Sequence, residues 1–200
     1  MILVIEISGI LAAYLLGAVP FGYILTKHFT GMNILESGSG NVGSTNVRRV
    51  AGKKVSLLTQ ILDMLKGMIP VGIFMLAGDS HSESFHPYYI YMLALAAIIG
   101  HDFSIFLRFR GGKGVNTTLG ASVLIAPWAV VIAGLVYFLV KKLFKYVSPG
   151  SIALSLAMPV AEYIINGLSP TVYYLIICSA LIIILHRKNI QRLLSGKENL

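Results

Sequence analysis

The run Val115–Val140, VNTTLGASVLIAPWAVVIAGLVYFLV, decides how this chain is folded, and its 26 residues carry Pro127 near the middle with Trp128 beside it. Read as one helix it crosses a membrane once, because about 20 residues span the hydrocarbon and a proline is absorbed as a kink. Read as two short helices it turns at Ala126-Pro127-Trp128, with the indole at the interface where aromatic side chains gather. The choice fixes the number of crossings and decides which polar residues share a side.

That a membrane is involved follows from composition. The chain has 200 residues, 56% hydrophobic and 12% charged, with a mean hydropathy of +0.80. Soluble domains carry about 25% charged residues. A net charge of +8 raises nucleic acid as a partner, but the cations sit in loops beside apolar runs, the pattern of cytoplasmic membrane loops. No nucleic-acid partner is expected. Cys178 stands alone in an apolar run, which gives no disulfide framework and no paired metal spacing. The first apolar run lacks a basic start and a small-residue cleavage site, so it is expected to remain as a membrane helix.

Apolar runs at 2–25, 55–77, 87–100, 115–140, 151–165 and 169–185 invite a count of six helices. Charge argues for a hairpin at Pro127 and hence for seven. With the hairpin, Lys27, Arg48, Arg49, Lys53, Lys54, Arg108, Arg110, Lys113, Lys141, Lys142, Lys145, Arg187, Lys188, Arg192 and Lys197 all fall on one side, and Lys66 lies inside a span. A single helix would move the last seven of them to the opposite face, against the positive-inside tendency. The outer connections then hold Asp79, His81, Glu83 and His86, the Pro127 turn, and Asn166-Gly167-Leu168-Ser169-Pro170. The expectation is an all-α polytopic membrane protein with seven transmembrane helices, the N-terminus outside and the C-terminus cytoplasmic. No linker or repeat divides it, so residues 1–200 are read as one domain.

Three polar runs share the cationic side. In the first, Ser37 to Arg49, Gly38, Gly40 and Gly43 match G-x-G-x-x-G with Asp63 twenty residues on. The match is a decoy, because that fingerprint needs a βαβ unit and Asp63 lies in an apolar helix. What survives is local chemistry: small residues let backbone N–H groups approach an anion, Ser37, Ser39, Asn41, Ser44, Thr45 and Asn46 add donors, and Arg49 closes the run. The second run, Arg108 to Thr117, is no Walker A loop, since Leu107 stands where the first Gly belongs and Gly114 replaces the magnesium-holding Ser or Thr. Gly111, Gly112 and Gly114 still open a helix whose N–H groups suit phosphate, with Lys113 as a point charge. In the third, His186 and Asn189 are three apart and share a helical face. His101 has a weaker claim, with Asp102 read as holding its imidazole. Asp63 and Lys66, three apart within a span, read as an intramembrane ion pair or as a floor beneath the site. No metal spacing such as H-E-x-x-H and no G-x-S-x-G elbow is present, so neither a metal nor a cofactor is expected.

Ser37 to Arg49, Gly100 to Thr117 and His186 to Glu198 resemble the three cytosolic motifs of the bacterial acyl-phosphate:glycerol-3-phosphate acyltransferase family, in order and spacing, and Leu62 to Gly67 also matches the family pattern. The resemblance implies a multi-pass enzyme of the bacterial inner membrane, with its active site facing the cytoplasm. It implies transfer of a fatty acyl group from acyl phosphate to the 1-hydroxyl of sn-glycerol 3-phosphate, giving lysophosphatidic acid and phosphate. Acyl phosphate, glycerol 3-phosphate and membrane lipid are then the partners, with no obligate protein partner and no cofactor. Carried over by motif, the catalytic residues are Ser39, Arg49, Lys113, His186 and Asn189. Substrate phosphates fall to Gly38, Gly40, Asn41, Thr45, Asn46, Gly111, Gly112, Gly114 and Thr117, supported by Asp63, Lys66 and His101. The chain departs from the pattern at Ser44, where Ala is usual, at Ser104, where Pro is usual, and at Asn116, where Ala is common.

Residues and resemblance converge on a mechanism of positioning. Two phosphorylated substrates bring up to about four negative charges near neutral pH. An acyl phosphate already contains a good leaving group, so cations on the phosphates and donors on the carbonyl oxygen suffice. The base stays open between His186 and a substrate phosphate. A phosphate transporter and an anionic-lipid scaffold are the competing classes; the first lacks midplane cations and an inverted repeat, and the second leaves the polar runs unexplained.

Overall fold

Pro20 divides the first apolar run. A proline has no N–H to give a helix and biases the residue before it away from helical geometry, so the chain bends there. Helix α1 (Ile2–Ala18) stops at Val19 (φ −56°, ψ 117°), and α2 (Phe21–Thr30) restarts at once. The computed structural model describes residues 1–77 and 85–197; Asp79, His81, Glu83 and Glu198 lie outside the described residues. The remaining helices are α3 (Ser44–Ala77), α4 (Tyr89–Asp102), α5 (Val115–Ile125), α6 (Pro127–Phe144), α7 (Val147–Asn166), α8 (Pro170–Leu185) and α9 (Arg187–Leu194). Among the described residues there is no strand, and the all-α expectation holds.

The long run at 115–140 is broken as the hairpin reading requires. Ala126 leaves helical geometry (φ −140°, ψ 63°) and Pro127 opens α6, where its missing N–H costs nothing. Among the described residues five segments can cross a membrane by length and composition: Ile2–Thr30, Ser44–Ala77, Tyr89–Leu107, Pro127–Phe144 and Val147–Asn166. The α8–α9 pair, bent by 58°, makes a sixth if it is one span. Helix α5, at 11 residues, covers about 16 Å and falls short of a full crossing.

The chain divides into two compact units, Met1–Leu124 and Ile125–Leu200. In the first, α1 packs on α4 where glycines remove the side chains between them. A Cβ on Gly17 would strike the backbone of Ala97, and one on Gly100 the backbone of Tyr14 and Ala18. Helix α3 meets α5 in the same way, through Gly67 against Thr117 and Gly120 against Met64. In the second unit α6 packs on α7 and α7 on α8, with Gly150 lying against the Tyr137 ring. Buried positions are filled largely by small residues such as Ala94, Ala97, Ala121, Ala129, Ala133, Ser122 and Ser155. Large apolar side chains such as Leu76, Leu135, Phe138 and Leu143 are exposed, as lipid-facing surfaces demand.

The break at Pro20 leaves carbonyls at the end of α1 without helical donors. Ser104 Oγ donates to Ala18 O at 2.5 Å, and Lys66 Nζ donates to Val19 O at 2.9 Å. The same ammonium pairs with Asp63 Oδ1 at 2.8 Å, with both side chains 2% exposed, and lies 5.7 Å from the Phe21 ring centre. Removing one partner of a buried pair strands the other charge. Lys66→Met is expected to lower unfolding stability by about 3–5 kcal/mol, and Asp63→Leu combined with Lys66→Met by clearly less. Thermal unfolding of both variants in one detergent checks the ordering.

Candidate active site

The first polar loop takes its shape from one amide. Asn46, in the first turns of α3 and 2% exposed, donates from Nδ2 to Ser37 O (3.0 Å) and Asn41 O (2.9 Å), and its Oδ1 accepts from Ser39 N–H (2.9 Å). Gly38 has φ 61° and lies so close that a Cβ would strike Asn46 Oδ1, so glycine is required there twice over. Upstream, Asn33 caps the 3₁₀ turn Ile34–Glu36 through Leu35 N–H, and Ile34 packs with Val42 and Val47 beneath the loop. Ser39 and Arg49 remain exposed, and Thr45 is half-buried. Helix α3 is itself broken at Gly52 (φ 84°, ψ 179°), so residues 44–51 form a short helical segment of their own. The sequence reading treats Ser37–Arg49 as one polar run and misses this segment.

The second loop lies flat on the end of α4. Gly112 N–H donates to His101 O at 3.0 Å, and Gly112 is so near the His101 ring that a Cβ would overlap Nε2. A Cβ on Gly111 would meet the carbonyls of His101 and Asp102. Before the glycines, Arg108 and Phe109 hold left-handed backbone at φ 53° and 61°. Such geometry is unfavourable for residues with a Cβ and is common at functional loops. Lys113 is half-buried. Thr117 is 0% exposed, its carbonyl against Gly67, which places it in the packing between α3 and α5.

His101 does not receive the partner expected of it. Asp63 Oδ1 stands 3.5 Å from His101 Nδ1, whereas both Asp102 oxygens are buried without a hydrogen-bond partner. Consecutive helical residues do not face each other, so position 102 cannot orient the ring at 101. The Asp102 oxygens instead lie 3.1 Å from where a Gly114 Cβ would stand, under the start of α5.

Two hydrogen bonds bring the first and second loops together. Asn41 Nδ2 donates to Gly111 O at 3.1 Å while its Oδ1 accepts from Gly43 N–H at 2.9 Å. Asn116 Nδ2 donates to Ser44 Oγ at 3.1 Å. Within the first unit, therefore, the loop bearing Gly38, Ser39, Gly40 and Asn41 and the loop bearing Gly111 to Gly114 form one clasped surface, with Asp63, Lys66 and His101 beneath it. Among the described residues no cluster of His, Cys, Asp and Glu gathers as a metal site.

The third run belongs to the second unit. His186 ends α8 and starts α9, at the 58° bend. Its Nδ1 lies 2.8 Å from Ile182 O. A carbonyl only accepts, so Nδ1 is the nitrogen that carries a proton in this contact. Asn189 Nδ2 donates to Ser148 Oγ of α7 at 2.8 Å. Ser148, forty-one residues away in sequence, gives no signal that could have found it.

Apolar helices joined by glycine-bearing, amide-shaped polar loops define an integral membrane protein. The chain matches the family described as glycerol-3-phosphate acyltransferase over residues 7–196. It is 42% identical to the glycerol-3-phosphate acyltransferase of Clostridium acetobutylicum, covering 98% of this chain and 100% of that protein. It is 44% identical to the one from Syntrophotalea carbinolica, over 95% of this chain and 94% of that protein. Among crystal structures it is similar to the glycerol 3-phosphate form of the integral membrane acyltransferase PlsY, with 35% identity, a TM-score of 0.88, and 97% of this chain and 94% of that one covered. The lysophosphatidic acid form of PlsY gives 34% and 0.85, with the same coverage. The chain belongs to the glycerol-3-phosphate acyltransferase family, as a membrane-embedded acyltransferase of phospholipid biosynthesis.

Asn46→Asp keeps the shape of the amide and removes both donors, setting a carboxylate against two carbonyls. It is expected to destabilise the protein at least as much as Asn46→Ala, each by about 1–3 kcal/mol or more. Thermal midpoints of the two variants decide the order; an Asp variant as stable as the parent would contradict this account of the loop.

Proposed function

We propose that the protein transfers a fatty acyl group from acyl phosphate to the 1-hydroxyl of sn-glycerol 3-phosphate, forming 1-acyl-sn-glycerol 3-phosphate and inorganic phosphate, without a cofactor. The observation that carries the reading is the clasp between the Gly38–Gly43 and Gly111–Gly114 loops, in a chain whose relatives are named glycerol-3-phosphate acyltransferase. Lys113 and Arg49 hold the substrate phosphates, and Ser39 with loop N–H groups steadies the carbonyl oxygen as it takes up negative charge. Asn41, committed to Gly111 and Gly43, acts by keeping the two loops in register.

His186 and Asn189 orient glycerol 3-phosphate. His186 Nε2 accepts the 1-hydroxyl proton as the hydroxyl oxygen attacks the acyl carbon; the carbon–oxygen bond to phosphate then breaks, and phosphate leaves with the electron pair. The tautomer set by Ile182 O supports this role. A transporter or lipid scaffold releases no phosphate from acyl phosphate, so mixing the purified protein with acyl phosphate and glycerol 3-phosphate discriminates the classes. Phosphate release that depends on both substrates, and fails with acyl-CoA as donor, is the expected result. In the same assay His186→Ala is expected to lower kcat by about 100-fold or more. A variant that only raises KM would leave a substrate phosphate as the base.

The reading places the protein in the bacterial inner membrane as a single domain with seven crossings, α5 being the short one, the N-terminus outside and the loops in the cytoplasm. In a Cys178→Ala background, Ser39→Cys, Arg110→Cys and Lys188→Cys are expected to react with a membrane-impermeant thiol reagent only from the cytoplasmic side. Reaction of Lys188→Cys from the other side would refute the seven-span arrangement.

A further inference from the structure

We propose that one end of the second unit, formed by the close of α6, the start of α7 and helix α9, is a binding surface for anionic phospholipid headgroups. Helix α6 packs on α7 and α7 on α8, and only Lys145 and Tyr146 separate α6 from α7. The close of α6, the start of α7 and the close of α8 therefore share one end. The Asn189 bond to Ser148 fastens α9 to it. Lys142 and Lys145 from the first connection, and Arg187 and Lys188 from α9, are all exposed there.

Nothing within the unit answers this charge. Among the described residues its one acid is Glu162, which is 5% exposed, accepts from Asn166 Nδ2 at 2.8 Å and lies toward the opposite end of α7. The helix dipole accounts for Lys142, in the last turn of α6, where cations are favoured. It does not account for Arg187 and Lys188, the first two residues of α9, where the positive end of the dipole opposes them and no acid stands in the first turn. An anion from outside the chain relieves that repulsion.

The apolar side chains beside the cations point to a lipid as its source. Leu143 and Phe144 are 68% and 59% exposed next to Lys142 and Lys145, and Leu194 is 84% exposed on α9. Along α9, Ile190, Leu193 and Leu194 fall on one side and Arg187, Lys188 and Gln191 on the other, and the 58° bend turns the helix away from the axis of α8. A helix of this pattern lies along the boundary between headgroups and acyl chains. A nucleic acid or an acidic protein would leave these leucines and Phe144 uncovered, whereas a lipid covers them with its chains while its phosphate meets the cations. Zwitterionic lipid covers them equally well, so the cations are what select the anionic one.

The test uses the full-length protein in phosphatidylcholine vesicles and compares tryptophan quenching by dibrominated phosphatidylglycerol and dibrominated phosphatidylcholine. Trp128 is the single tryptophan and opens α6, about 24 Å of helix from Phe144, so it reports the far end. Phe144→Trp in a Trp128→Phe background moves the reporter to the proposed surface. There the anionic lipid is expected to bind about three- to tenfold more tightly than the zwitterionic one, and at Trp128 about equally. About 0.5 M salt is expected to cut the preference by half or more, and Lys142→Gln with Lys145→Gln and Lys188→Gln to abolish it. Equal binding at the Phe144→Trp reporter, the same preference at Trp128, or a preference that survives high salt or the triple substitution would each overturn the proposal. Displacement of the brominated lipid by inorganic phosphate or by an oligonucleotide, at matched ionic strength, would assign the surface to a soluble anion and overturn it as well. Should the triple variant fail to fold, Lys142→Gln with Lys145→Gln is expected to lose at least half of the preference, and an unchanged preference there would overturn the proposal. Neither reporter depends on turnover, so failure of the acyl-transfer assay and failure of this one are separate results.

Discussion

One ammonium group organises the first unit. Lys66 lies within a membrane span, where a charge is costly, and it is retained with three neighbours: the Asp63 carboxylate, the Val19 carbonyl and the Phe21 ring. Because Pro20 interrupts the first apolar run, the end of α1 exposes carbonyls that nothing in its own helix can satisfy. Lys66 from α3 and Ser104 from beyond α4 supply the donors. The bend between α1 and α2, the seating of α3 and the turn after α4 are thereby tied at one level of the bundle. Asp63 also approaches His101, whose ring lies against Gly112, so the ion pair underlies the glycine loop as well.

Above that level the polar loops are shaped mainly by amides and glycines. Asn46 holds the first loop by satisfying three backbone groups, Asn41 spans the two loops, and Asn116 reaches the start of α3. Amide side chains both donate and accept, so one residue can satisfy opposed backbone groups without adding charge. In the proposed reaction the phosphates fall to the local cations Arg49 and Lys113. The proposed acyl phosphate donor needs positioning more than activation, and a cradle of neutral groups with a few charges suits that proposal.

Periodicity and charge were enough to read an all-α membrane chain, the break at Pro127 and the three polar runs, because each leaves a local mark: an apolar stretch, a proline, a cluster of glycines and cations; the run at 2–25, read as one helix, is divided at Pro20. The ion pair of Asp63 and Lys66 was legible from their spacing of three. What was hidden depends on contacts between distant residues. Nothing near Ser148 announces Asn189, and Ser104 gives no sign that it caps Ala18. The Gly52 break was missed because Gly52 lies between the polar run ending at Arg49 and the apolar run starting at Val55, where a lone glycine carries no distinct signal. Asp102 was misassigned because adjacency in sequence was taken for adjacency in space, which helical geometry forbids. Ser44 and Asn116 were noticed separately as departures from the family pattern; only the fold shows them bonded to each other.

The arrangement of small residues within and large ones without has its own implication for how such a molecule drifts over evolutionary time. Leu135, Phe138 and Leu143 are largely exposed on apolar helix faces suited to fluid hydrocarbon, which conforms to any apolar outline, so exchange among Leu, Ile, Val and Phe there leaves the energy nearly level. Gly17, Gly67, Gly100 and Gly120 meet backbone, which cannot yield, and at each of them even one added methyl group must push two helices apart. Variation is thus channelled to the lipid-facing skin, while the interior is held by a ceiling on volume, and hydrophobicity sets little of that limit.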